Sequence, residues 1–308
     1  MLVTDDRTPT DLRDEGHLDH ALRLALSLGL DPFWAVAMAS LNPAERFGLK
    51  HVGAVAPGYR ADIMVVDDLQ TPHARLVLVD GQVVARDGVP LFAAPPADYS
   101  LARDSVRLGP LDRSVLHLPS EGGRCRVIGL VPGQIVTEHL FEEPRVVDGA
   151  IVADVERDLL KLAVLERHHA TGNVGVGLVR GFGLRGGALA SSVAHDAHNV
   201  GVVGTNDADM LCAVEAVANQ QGGLAVVRDR QVLASLPLPI AGLMSDLSFE
   251  EVASRLEQIE AAARDLGCTA ERPFMTLSFL ALSVIPSLKL TDRGLVDVEA
   301  WQFVPVHA

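Results

Sequence analysis

Three groups of side chains could carry chemistry. The first is Thr4-Asp5-Asp6, where two carboxylates follow Leu2-Val3-Thr4, a run that reads as the end of a buried strand. A carboxylate at a strand end can hold a metal ion or move a proton. Two adjacent aspartates before Arg7 are equally an ordinary solvated loop. The second group is His17 and His20, three apart on an expected helix and so on one face. They could contact a ligand above the strand end, or lie on the surface beside Asp19. The third and densest is His195-Asp196-Ala197-His198-Asn199, just ahead of an apolar strand. Imidazoles ligate metals when neutral and exchange protons near neutral pH. His-x-x-His without the glutamate of the helical zinc-protease motif does not specify a metal. A loop pinned by histidine hydrogen bonds at a domain contact is the alternative.

Other motifs point to chemistry less directly. His168-His169 ends an expected helix, and the glycine-rich stretch 181–187 lacks the Lys-Ser/Thr of a phosphate-binding loop, so it reads as tight turns. The apolar stretch 236–246 ends in a helix N-cap and suits a lid, a pocket wall or a domain-packing segment. Cys125, Cys212 and Cys268 are too scattered for a metal or redox spacing and read as reduced, packed thiols.

The elements that must position these residues fall into two textures. Apolar spacing predicts a helix over 14–28, ended by Gly29. A second helix starts at Asp31-Pro32, and a third at Asn42-Pro43 with Glu45 closing a capping box. After residue 50 come short strands at 61–66, 74–79 and 82–85, the last two joined by Asp80-Gly81, a hairpin dipeptide. Residues 93–123 are rich in Pro, Asp, Gly and Arg and read as a linker. Beyond it, strands are expected at 126–131, 134–140, 174–180, 200–204, 224–228 and 231–236. Helices are expected at 156–168, 206–220 and 248–266, the last opened by a Ser248/Glu251 capping box. The alternation predicts an α/β layered domain.

Composition bounds the partners. The 308 residues carry 26 Lys+Arg against 40 Asp+Glu, a formal charge of −14, with no basic run, which excludes a phosphate-tracking nucleic-acid surface. No apolar stretch of about 18 residues exists to span a membrane. The acidic start lacks the basic and apolar regions of a signal peptide, so a soluble, cytoplasmic chain is expected.

Several segments together resemble the bacterial adenine deaminase family of the amidohydrolase superfamily. MASLNPAERFGL at 38–49, followed by GAVAPGYRAD at 53–62, is similar to the superfamily's passage from its barrel into a small β-sandwich. SSVAHDAHN at 191–199, LPIAGLMS at 238–245 and LKLTDRGLV at 288–296 resemble that family's own C-terminal domain, and count against another amide- or imide-hydrolysing amidohydrolase. The implied architecture is α/β. Residues 1–49 would be the end of a (β/α)8 barrel, 50–92 a β-sandwich segment, 93–123 a linker, and 124–308 the C-terminal α/β domain.

The implied chemistry is deamination of adenine to hypoxanthine and ammonia in purine salvage, by metal-activated attack of water at C6. The metal would be divalent, binuclear in the intact enzyme, and Mn2+, Fe2+ or Zn2+. Asp5 matches the metal-binding aspartate at the end of the eighth barrel strand, and would both ligate metal and shuttle a proton to the leaving amine. Asp6, His17, His20, His195 and His198 are candidates for contact with substrate or with the ligands. The first-strand His-x-His and the middle-strand Glu and His ligands have no counterpart in these residues, and one aspartate does not hold a catalytic metal. The chain is therefore expected to be inactive alone: a truncated product, a product of a mis-called start, or half of a split enzyme. It would associate with a complementary barrel fragment or with copies of itself. A non-catalytic oligomerisation module is the alternative.

Overall fold

The computed structural model describes residues 1–308, the Arg113 side chain excepted. The chain divides into two compact units, Met1–Ala97 and Asp98–Ala308.

The first unit begins with four short helices, α1 (Pro9–Asp14), α2 (Leu18–Ser27), α3 (Pro32–Ala39) and α4 (Leu41–Arg46). Local signals set most of their ends. Thr8 and Asp11 form a reciprocal capping box on α1, and the Asp31 carboxylate accepts from the Phe33 and Trp34 N–H groups ahead of Pro32 in α3. The capping box expected at Asn42 and Glu45 is not made. Ser40 closes α3 and opens α4 at once, so the helix starts a residue before Asn42. Leu22 and Leu26 of α2 bury against Ala35 of α3, with Leu2 and Leu30 partly covered. The strand end expected at Leu2-Val3-Thr4 does not form. A strand needs a neighbouring ladder, and here the Leu2 N–H donates to the Met38 carbonyl while Val3 is exposed.

A four-stranded antiparallel sheet follows, in the order β1 (Ile63–Val66), β2 (Ala74–Val79), β3 (Gln82–Arg86), β4 (Val89–Pro90). Asp80 and Gly81 both take positive φ, 49° and 77°, as the mirror-image turn of a two-residue hairpin requires.

The second unit is built on an eight-stranded sheet. Its strands are β5 (Cys125–Leu130), β6 (Thr137–Glu142), β9 (Leu159–Leu165), β10 (Val174–Arg180), β11 (Ala188–Ser191), β12 (Val200–Gly204), β13 (Gly223–Arg228) and β14 (Gln231–Pro237). The spatial order is β14-β13-β11-β12-β9-β10-β5-β6, antiparallel at every step except β10 against β5. A separate hairpin pairs β7 (Arg145–Val147) with β8 (Ala150–Val152). Helix α5 (Asp207–Asn219) covers one face. Helices α6 (Phe249–Asp265) and α7 (Pro273–Phe279) cover the other, with the small sheet of β15 (Leu288–Thr291), β16 (Gly294–Asp297) and β17 (Gln302–Val304).

The helix expected over 156–168 is instead strand β9, buried along its whole length. A strand covered on both faces is a continuous apolar run, with no period to separate it from a buried helix. Its alternation appears only in the packing. Leu160, Leu162 and Val164 join the core under α6 and α7, while Ala163 and Leu165 join the core under α5. Each fully buried aliphatic side chain contributes about 1.5–3 kcal/mol. The one charge in β9, Lys161, is held by the Asp207 carboxylate at 2.7 Å and the Leu116 carbonyl at 3.0 Å.

Part of the stretch read as a linker, 98–123, belongs to the second unit, where Leu116 is completely buried under α5. The Ser248/Glu251 capping box is present on α6. Among the described residues no helix is long and apolar enough to cross a membrane.

Candidate functional site

In the first unit, Asp5 sits in a turn at φ 54°, with its Oδ1 accepting the Asp6 N–H at 2.8 Å. The neighbouring Thr4 hydroxyl bonds the His17 Nε2 at 3.1 Å, so His17 reaches back to the segment that carries Asp5. His17 is also the residue that starts α2, and its N–H donates to Asp19 at 2.8 Å. Burial works to raise the Asp19 pKa, but bonds from Arg23 and from the His17 backbone outweigh it and hold the carboxyl below its usual range. His20 takes a different partner, Glu15, at 3.6 Å. Among the described residues no three His, Cys, Asp or Glu side chains gather as a metal centre would require. This chain's residues alone therefore do not fit a divalent metal.

In the second unit, the loop between β11 and β12 carries His195 and His198. Its foundation is the end of β9, in the order Glu166, Arg167, His168. Arg167 is 1% exposed, and its partners are backbone carbonyls. Its Nε donates to the His198 carbonyl, and its two terminal nitrogens to the carbonyls of Ala241 at 3.0 Å and Ser105 at 3.5 Å. One guanidinium thus ties together three segments remote in sequence. Gly242 makes room for it, because a Cβ there would lie 2.7 Å from the guanidinium at a backbone φ of 73°. This accounts for the glycine of the 238–245 motif. The Ser192 hydroxyl adds a bond from the same loop to the Gly242 carbonyl at 2.5 Å.

Glu166 is turned the other way. Its carboxylate accepts the N–H groups of His168, His169 and Thr171, and the Thr171 hydroxyl. Burial opposes ionisation, yet these donors prevail and lower the Glu166 pKa to about 2. His168 Nε2 donates to the Ala197 carbonyl at 2.7 Å, pinning the loop from below.

On this base His195 and His198 come together, ring centroids 5.3 Å apart, with His195 stacked on Phe279 of α7 at 5.0 Å. Burial, then the neighbouring His195 and Arg167, pull the His198 pKa below its usual value, so its imidazole is neutral at pH 7. The neutral ring accepts the Ala194 N–H on Nδ1 at 3.3 Å. These two imidazoles stand together on the loop between β11 and β12. Arg167 and Glu166 were not singled out from the sequence. The only signal was a Glu-Arg-His-His run closing an apolar stretch, and Arg167's three partners lie at 105, 198 and 241.

Comparison with known proteins bears on both units. The adenine deaminase C-terminal domain profile matches residues 134–302, and the amidohydrolase family profile matches residues 1–89. Over 307 residues the chain is 51% identical to adenine deaminase 2 of Carboxydothermus hydrogenoformans, covering 99% of this chain and 54% of that protein. It is 48% identical over 313 residues to adenine deaminase of Geobacillus kaustophilus, covering 100% and 54% respectively. Against adenine deaminase of Brucella anthropi the identity is 46% over 303 residues, covering 98% and 53%. The chain thus spans about half the length of the curated relatives it matches.

Proposed function

We propose, from the premise that this chain belongs to the adenine deaminase C-terminal domain family, that it supplies the C-terminal half of a metal-dependent adenine deaminase. The reaction would convert adenine and water to hypoxanthine and ammonia, in purine salvage. The observation that carries this reading is the 46–51% identity to adenine deaminases along essentially the whole chain.

In this reading residues 1–49 are the end of a (β/α)8 barrel and Asp5 is the ligand this chain offers to a divalent metal. One carboxylate does not make such a centre, so the remaining ligands come from polypeptide that the relatives have and these residues lack. The Thr4–His17 bond supports a positioning role for His17, holding the segment that bears Asp5. The complementary polypeptide is the partner the surface favours, since Phe33, Trp34 and Phe47 stand exposed on α3 and after α4. Self-association through the same surface would serve the alternative, a non-catalytic module.

Ammonia release from adenine tests the reading. The chain alone with Mn2+ is expected to release none. Mixed with the N-terminal half of a relative, it is expected to release ammonia, and Asp5→Asn to abolish that release. Failure of the mixture to act, although the two polypeptides form a complex, would overturn the reading.

A further inference from the structure

The loop that carries His195 and His198 ends on Asn199, whose amide oxygen is buried without a hydrogen-bond partner among the described residues. Asn199 is 5% exposed. Buried polar atoms in folded proteins are paired, so an unpaired acceptor marks a place where a donor belongs. The orientation of this amide is fixed: Nδ2 donates to Asp292 Oδ1 at 3.1 Å, which leaves Oδ1 as the open acceptor. Among the described residues the second Asp292 oxygen receives a long bond from the Asn173 amide, at 3.4 Å, and a carboxylate has capacity for more donors.

These groups border a cavity of about 250 Å³ within the second unit. Asp196, Leu282, Ser283, Arg293 and Phe303 are also in its wall. A dry cavity of about 150 Å³ admits benzene, so this one has room for a fused bicyclic ring. Its polar groups set the ligand's pattern. Asn199 and Asp292 accept, asking for N–H donors, while the Arg293 guanidinium offers a donor to a ring nitrogen or carbonyl. Phe303 and Leu282 present apolar surface to a flat ring. The Asp292 carboxylate disfavours a phosphate-bearing ligand, so a free base suits the cavity better than a nucleotide.

We propose that this cavity is a purine-base site. The choice of purine among N–H-bearing heterocycles rests on the adenine deaminase reading, whereas the cavity's preference for a neutral, planar donor does not. Asn199, Asp292 and Arg293, which supply the polar groups named here, lie in two stretches singled out from the sequence, 191–199 and 288–296.

Titration calorimetry on the full chain, with adenine and hypoxanthine as probes and AMP as the phosphate-bearing control, tests the site. Saturable binding of one free base per chain is expected, with AMP weaker. Asn199→Leu, similar in shape but without the acceptor, should weaken binding about tenfold or more. Ser283→Phe fills the cavity from its rim without touching the Asn199–Asp292 bond, and should do the same with an unchanged melting temperature. No saturable binding of either base, or unchanged affinity in the Ser283→Phe protein, would overturn the proposal. Ammonia release by the complemented chain reads the other claim separately. Loss of base binding with ammonia release retained removes this site alone, and base binding without ammonia release removes the catalytic reading alone.

Discussion

Two buried leucines, Leu162 in β9 and Leu26 in α2, show how differently the two units are built. Leu162 is wholly buried in the centre of an eight-stranded sheet, with α6 and α7 above it and Lys161 on the opposite side fixed by Asp207. Leu26 has one layer around it: Leu22, Ala35 and the half-covered Leu2 and Leu30. Helix α3, apolar all round, buries only Ala35 and leaves Phe33 77% and Trp34 67% exposed. An apolar cleft of about 460 Å³ runs between the helices and β1, walled by Leu22, Val36, Val55 and Met64 among others. A soluble surface seldom keeps such an expanse uncovered. The second unit encloses an extensive core, whereas the first leaves a broad apolar face exposed.

The comparison can be broken at several points. Arg167→Ala should do the most damage, about 5 kcal/mol, because three backbone carbonyls lose their donor inside the core and a large side chain leaves a void. Chemical denaturation of the second unit, followed by near-ultraviolet dichroism, measures it; a loss under 1 kcal/mol would show that water replaces the guanidinium easily. Leu162→Ala should cost the second unit about 4 kcal/mol. Leu26→Ala should cost about 2 kcal/mol, because its thin surroundings can collapse into the gap. Equal costs would mean that the first unit is as well packed as the second.

A smaller effect, confined to acid, concerns Glu166. Its pKa falls from an ordinary value of 4.5 to about 2 in the folded protein. The stability this lends is therefore complete above pH 4.5 and is lost as pH falls toward 2. Glu166→Gln should flatten the stability profile of the second unit across that window and leave its shape at neutral pH unchanged.

How much could be read beforehand follows the same divide between local and distant causes. The α6 capping box and the Asp80-Gly81 turn depend on neighbours in sequence, and both are where the residues place them. Strand β9 reads as a helix because its periodicity is erased by burial on both faces, while β11 and α7 go unassigned because Ala188-Leu189-Ala190-Ser191 and the 273–279 run are short, although Pro273 opens α7. The His195/His198 cluster was visible as a motif. Arg167, on which it rests, was not, since the role exists only once residues 105, 198 and 241 converge. The HDAHN and LPIAGLMS motifs both meet at Arg167, one through the His198 carbonyl and the other through Gly242.

The claim that the first unit is a face awaiting cover is tested most directly by amide hydrogen exchange. The full chain would be measured alone and again with the N-terminal half of a related adenine deaminase. Alone, residues 159–165 and 200–204 should exchange slowly while α2 and α3 exchange within minutes; on mixing, α2 and α3 should become protected and the second unit should not change. Strong protection of α2 and α3 in the chain alone, unaltered by the added polypeptide, would contradict the account.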